Sequence, residues 1–85
     1  MEVIRAMAET GNPNSVSDAG VGALCARAAV LGAYLNVRIN AAGCEDKAFA
    51  AESLSRGKKI EEDAVRMESV ILGIVGDKIG GPAVD

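Results

Sequence analysis

The side chains whose type and spacing could do chemistry are Asp18, Asn36 and Asn40. Successive residues of a helix are turned by about 100°. On that wheel Asp18, Gly22, Cys25, Ala29, Gly32, Asn36 and Asn40 fall within about 40° of one line. The line is small in its middle and polar at both ends. Asp18 is the only carboxylate of the segment 18–42 and a usable hydrogen-bond acceptor. Asn36 and Asn40 lie one turn apart. An Asn buried on a helix face costs roughly 1–3 kcal/mol unless it finds partners, and a neighbouring helix carbonyl would serve. Upstream, Asn12 and Asn14 flank Pro13 beside the start of the same helix. A helix N-terminus carries unpaired N–H groups and a partial positive charge, so it can receive an anion or carboxylate. Capping by Ser17 or Asp18 would use the same groups.

The elements that position these residues follow from punctuation and period. Residues 2–10 place Val3, Ile4 and Met7 at helical spacing, with Arg5 and Glu9 an i,i+4 pair. Gly11, Asn12, Pro13, Asn14 and Ser15 read as a turn over 11–17, because Gly and Asn tolerate positive φ and Pro lacks an N–H. A helix is then expected from Asp18 to Ala41 or Ala42, roughly 36 Å long, with Gly43 as a left-handed cap. Val21, Leu24, Leu31, Leu35 and Ile39 form its bulky apolar side; Arg27, Tyr34 and Arg38 lie opposite the small line. Between Ala19 and Val37 only Arg27, Tyr34 and Asn36 are polar, which predicts a helix buried on all sides. A last helix is expected from Asp46 to Val75. It turns Ala50, Leu54, Gly57, Ile60 or Glu61, Ala64, Met67, Ile71 and Ile74 inward and solvates Lys58, Lys59, Glu62, Asp63 and Arg66. Gly57 predicts a kink or a close helix crossing. Gly76, Gly80, Gly81 and Pro82 are expected to end regular structure.

Composition removes several functions. The 85 residues allow one domain, and the net charge of −3 argues against a general nucleic-acid binder, which needs a basic face. No histidine is present, so the commonest general base and metal ligand is missing, and no metal site is expected. Cys25 and Cys44 form no C-x-x-C pair; they read as a buried helical residue and a loop thiol in a reducing cytoplasm. The apolar stretch 19–37 has membrane-spanning length, but Arg27 at its centre and its Ala/Gly composition argue against a membrane span.

The segment GNPNSVSDAGVGALCARAAVLGAYLNVRINA carries Gly11-Asn12, Ser17-Asp18, an Ala/Gly-rich helix, and Asn36 with Asn40 as N-V-x-x-N. In this combination it resembles the C-terminal half of the cyclodeaminase/cyclohydrolase family, from about Glu2 into the last helix. The resemblance implies one-carbon folate chemistry. Cyclodeaminases close 5-formiminotetrahydrofolate to the 5,10-methenyl form with release of ammonia. Cyclohydrolases interconvert the methenyl form with 10-formyltetrahydrofolate. Under it, Asn12, Asn14, Asp18, Asn36 and Asn40 become candidate substrate-binding residues, with a pterin edge as the partner of the asparagines. Arg27 and Arg38 could meet the carboxylates of a polyglutamyl folate, or be solvated. The family's N-terminal half, with a Gly-rich stretch and the aspartate assigned to catalysis, has no counterpart here, so no catalytic residue is assigned.

The expected fold is therefore all-α: an antiparallel helical bundle fragment with a short first helix, a buried Ala/Gly-rich central helix and a long C-terminal amphipathic helix. Residues 1–85 read as a single partial domain, the C-terminal part of a cyclodeaminase/cyclohydrolase-like unit, whose first helix looks cut short. The expected substrate is a tetrahydrofolate derivative, with no permanently bound cofactor. Apolar stripes wider than one partner can cover predict self-association as a homodimer; the resemblance, with its N-terminal half missing here, implies a companion N-terminal chain as the alternative. A reading from a different class is a non-catalytic helical dimerisation module.

Overall fold

The computed structural model describes residues 1–80, with Pro13 through its backbone only. Three helices follow one another: α1 (Glu2–Thr10), α2 (Pro13–Ala42) and α3 (Lys47–Ile79). No strand occurs among the described residues. The fold is all-α, as the periodicity predicts.

α1 turns Ala8 fully inward and packs Ile4 beside it, while Arg5 and Glu9 make the expected exposed pair at 3.5 Å. It ends where the Gly11 N–H donates to the Met7 carbonyl at 2.8 Å. Gly11 keeps an ordinary φ of −77°. Its glycine character serves a close approach instead, since a Cβ there would lie 2.6 Å from the Met7 oxygen.

The turn expected over 11–17 shrinks to Gly11 and Asn12. Asn12 is the N-cap of α2, its Oδ1 accepting from the Ser15 N–H at 3.0 Å, and Pro13 occupies the first helical position. Pro is well suited there, because its fixed φ matches the helix and its missing N–H would be unpaired anyway. Ser17 and Asp18 are thus helical and exposed, not caps.

α2 stops at Gly43, whose φ of −95° is not the expected left-handed conformation. A short hairpin over 43–46 leads to Asp46, which caps α3 by accepting from the Phe49 N–H at 3.0 Å. α3 continues past the expected end at Val75, through Gly76, and stops at Gly80 with φ 77°. An exposed helical glycine costs only about 1 kcal/mol and need not end a helix, whereas a left-handed glycine does. Gly81 and Pro82 lie outside the described residues.

α2 and α3 run antiparallel, with α1 against both. The expected inner face of α3 holds: Ala50, Ala64 and Ile71 are buried and Met67 and Ile74 pack on the core, although Ile60 is exposed. Ala8, Val16, Ala19, Ala23, Ile71 and Val75 make the central cluster. On the solvated side Arg66 pairs with Asp63 at 2.9 Å and Arg56 with Glu52 at 3.0 Å. The molecule measures 52 × 27 × 14 Å. α1 covers one end of the α2–α3 pair, and beyond that end the pair is uncovered, with Leu35, Ile39, Phe49 and Ile60 exposed.

That partial cover overturns the expectation of a buried central helix. Val21, Leu24, Leu35 and Ile39 remain 57, 48, 56 and 72% exposed. Cys25, expected to be buried, is exposed as well. A helix apolar all round needs neighbours on every side, and this chain supplies them on only part of the circumference.

Candidate functional site

The side of α2 that meets α3 carries Arg27 and Tyr34. The Tyr34 hydroxyl donates to the Leu54 carbonyl at 3.3 Å. Its ring fills the space left by Gly57, where a Cβ would lie 2.6 Å from Tyr34 Cδ1. Gly57 therefore marks a close helix crossing. Arg27 reaches Glu68, Nε to Oε1 at 3.6 Å, and Glu68 is only 9% exposed. Arg27 Nε and Glu68 Oε2 have no hydrogen-bond partner. Arg27 thus serves the helix interface, neither a free folate anchor nor a fully solvated cation. The periodicity of α3 gave no signal for Glu68, a carboxylate one position from the inward-facing Met67.

With Tyr34 and Arg27 turned inward, the line of Asp18, Cys25, Ala29, Gly32, Asn36 and Asn40 faces solvent. Gly22 is half-buried beneath Ile4 of α1. Asn36 and Asn40 make no side-chain hydrogen bond among the described residues, so interhelix bonding does not occupy them. Asn12 is engaged as a cap, Asn14 is exposed, and Asp18 is exposed on the second turn.

The five candidates form two groups. Asn12, Asn14 and Asp18 gather at the start of α2; Asn36 and Asn40 sit near its end. At 1.5 Å per residue, Asp18 and Asn36 are about 27 Å apart along the axis, and Asn12 and Asn40 about 42 Å. One chain does not bring them together.

Asn40 also borders an open cavity of about 270 Å³ at the α2–α3 hairpin, together with Val37, Ala41, Cys44, Phe49, Ala50 and Ser53. Its floor is apolar and its rim carries an amide, a hydroxyl and a thiol. The Cys44 thiol donates to the Asp46 carbonyl at 3.5 Å. The size lies just under the usual range for small-molecule pockets, about 300–1,000 Å³, and suits a ring system better than a whole extended cofactor. Sequence reasoning missed Phe49 and Ser53; the one available signal was Phe49 as the only phenylalanine, three residues after the cap Asp46. Among the described residues no three His, Cys, Asp or Glu side chains group as metal ligands.

Residues 1–59 match the formiminotransferase-cyclodeaminase family. That stretch contains α1, α2, the hairpin and all five candidates. The chain belongs to the formiminotransferase-cyclodeaminase family. It is 38% identical over 79 residues to a methenyltetrahydrofolate cyclohydrolase of Methylorubrum extorquens, across 93% of this chain and 38% of that protein. It is 33% identical over 72 residues to the formimidoyltransferase-cyclodeaminase of Gallus gallus, across 85% of this chain and 13% of that protein. The chain thus spans between an eighth and two fifths of the length of these relatives. No solved structure matches it. In this chain α2 carries Asn14, Asp18, Asn36 and Asn40 on exposed positions, with Asn12 as its cap. The window of α2 over Asn14–Ala42 is also long and apolar enough to cross a membrane by length and composition alone, with a mean hydropathy of 1.4.

Proposed function

We propose that this chain works in one-carbon folate metabolism, as a formiminotetrahydrofolate cyclodeaminase or methenyltetrahydrofolate cyclohydrolase unit, in the cytoplasm. It supplies scaffold and part of the pocket wall, as the C-terminal part of such a domain. The observation that carries this reading is the family match across residues 1–59, which covers every candidate polar residue. The exposure of Asp18, Asn36 and Asn40 supports it, because each is free to meet a ligand.

Both reactions move protons at a one-carbon unit that bridges two nitrogens. They need the ring system held by hydrogen bonds while a carboxylate or water carries the proton. Asn36 and Asn40 offer amide donors and acceptors one turn apart, suited to the edge of a pterin. Asp18 offers the acceptor. The cavity beside Asn40 provides an apolar floor for a ring. The substrate is a tetrahydrofolate derivative with no permanently bound cofactor, and the working form is a homodimer or a pair with a companion N-terminal chain.

A second reading is a helical dimerisation module without catalysis. The exposed apolar side of α2 favours it. Isothermal titration with 5-formyltetrahydrofolate separates the two. Saturable binding that Asn36→Ala abolishes supports the folate reading; a folded chain that takes up none leaves the module.

A further inference from the structure

The groove between α2 and α3 is filled by α1 over part of its length only. α1 lies along it antiparallel to α2. Ala8 joins the cluster of Val16 and Ala19, Ile4 covers Gly22, and Met1 reaches the level of Ala26 and Val30. Beyond Met1 the groove runs on in the same line. An open volume of about 430 Å³ at Met1 shares Val30 and Ile60 with a second of about 150 Å³, lined further by Ala33, Tyr34, Val37 and Gly57. That one shares Val37 with the cavity beside Asn40. On the α3 side Ile60 and Phe49 stay exposed. No charged side chain lines the middle stretch, and the Tyr34 hydroxyl there is already spent on the Leu54 carbonyl.

We propose that this free stretch of groove receives a helix of a second polypeptide, end to end with α1. From Val30 to Asn40 is about 15 Å, the length of about ten helical residues. α1 shows what chemistry the groove accepts. Its Ile4 and Ala8, one turn apart, face the core, while Arg5 and Glu9 pair in solvent. The occupant therefore carries small or apolar residues one turn apart on one side and charges on the other. A nucleic acid or an acidic peptide finds no cation along the middle stretch. The direction of the occupant follows from the N-terminal end of α1, which has no side-chain cap. Its first N–H groups and their partial positive charge meet the open groove. An occupant running in the direction of α1 brings the carbonyls of its last turn there; the reverse direction sets two positive ends together. The occupant's own N-terminal end stops at the rim of the cavity beside Asn40 and leaves that cavity free. A contact of three turns lies below about 1,200 Å², so the docking is weak and reversible. It rests on the groove alone. That the helix belongs to a companion N-terminal chain rests on the folate reading above.

The two native thiols make place and direction testable. Cys44 lines the cavity at the far end of the groove, whereas Cys25 is exposed on the outward line of α2. The probe is a stapled helical peptide of that length, with Leu and Ala on one side and Lys and Glu on the other. It bears a thiopyridine-activated cysteine at its N-terminal end, and its disulfide to the unaltered chain is mapped by mass spectrometry. The expected result is linkage to Cys44 at least tenfold faster than to Cys25, although Cys25 is the more exposed. Moving the activated cysteine to the C-terminal end, beside Met1, should remove that preference. Ala33→Glu places a charge in the groove at an exposed position; it should keep the helical circular dichroism and slow the linkage at least tenfold. Ala29→Arg, exposed on the outward line, should leave it unchanged. Linkage that favours Cys25, equal preference from both peptide ends, or indifference to Ala33→Glu overturns the proposal. So does a Cys44-to-Cys44 dimer that shuts the peptide out, which would give the groove to a second copy. Titration with 5-formyltetrahydrofolate beside the same peptide with serine for its cysteine separates this docking from the folate reading. A chain that links the peptide as expected and takes up no folate keeps the docking and removes the folate reading. Folate binding by a chain that shows no preference for Cys44 keeps the folate reading and overturns the docking.

Discussion

The ring of Tyr34 occupies the place where Gly57 has no side chain, and its hydroxyl ends on the Leu54 carbonyl one turn earlier in α3, at 3.3 Å. This contact sets how closely the two long helices approach in their middle. Gly57→Ala pits two effects against each other. Alanine gains about 1 kcal/mol of helix propensity, but its Cβ would fall 2.6 Å from a ring carbon, and overpacking of that kind costs about 1–3 kcal/mol. The clash wins while Tyr34 stays, so Gly57→Ala lowers the urea midpoint. In a Tyr34→Ala background the same change raises it. Parallel midpoints for both single variants and the double variant show the reversal or its absence.

Asn12, and not Ser17 or Asp18, caps α2. Asn12→Ala therefore costs about 1 kcal/mol, as does Asp46→Ala at the start of α3. Ser17→Ala and Asp18→Ala stay within about 0.5 kcal/mol, as expected for exposed positions. Chemical denaturation of the four variants checks the ranking, and an Asp18 variant as damaging as Asn12→Ala would contradict it.

Arg27 and Glu68 are the charged pair inside the α2–α3 contact. Glu68→Leu alone leaves Arg27 partly exposed and able to turn to water, so the loss is modest, about 1 kcal/mol. Arg27→Met alone strands a carboxylate that is only 9% exposed, and costs more, about 2–3 kcal/mol once the partial exposure of Arg27 is discounted from the usual 3–5 kcal/mol. Replacing both by Met and Leu is close to neutral, because a buried pair yields little over apolar packing. A double-mutant cycle in urea measures the coupling.

Asn36 and Asn40 are exposed and carry no structural hydrogen bond, so their alanine variants keep the stability of the parent within about 0.5 kcal/mol. Any loss of 5-formyltetrahydrofolate binding in Asn36→Ala or Asn40→Ala then reports recognition. Equal binding by parent and variants, measured by isothermal titration, would take both residues out of the site.

Helix identity, the inner face of α3 and the family were readable from residues alone. Ala50, Ala64 and Ile71 recur at helical spacing against a charged opposite side, and such contrast leaves one orientation. The N-V-x-x-N pattern and Ser17-Asp18 pointed to the family because they are local. The facing of α2 was not readable. That helix is apolar on nearly every side, so hydropathy ranks no side above another, and Arg27 and Tyr34 marked only the side opposite the small line. Tertiary structure turned them inward because α3 offers what each polar group requires: a carbonyl at Leu54 with a gap at Gly57, and a carboxylate at Glu68. The same choice placed Asp18, Asn36 and Asn40 in solvent. Only the tertiary structure, in which α1 covers just one end of the α2–α3 pair, showed that much of the apolar surface of α2 stays uncovered within a single copy.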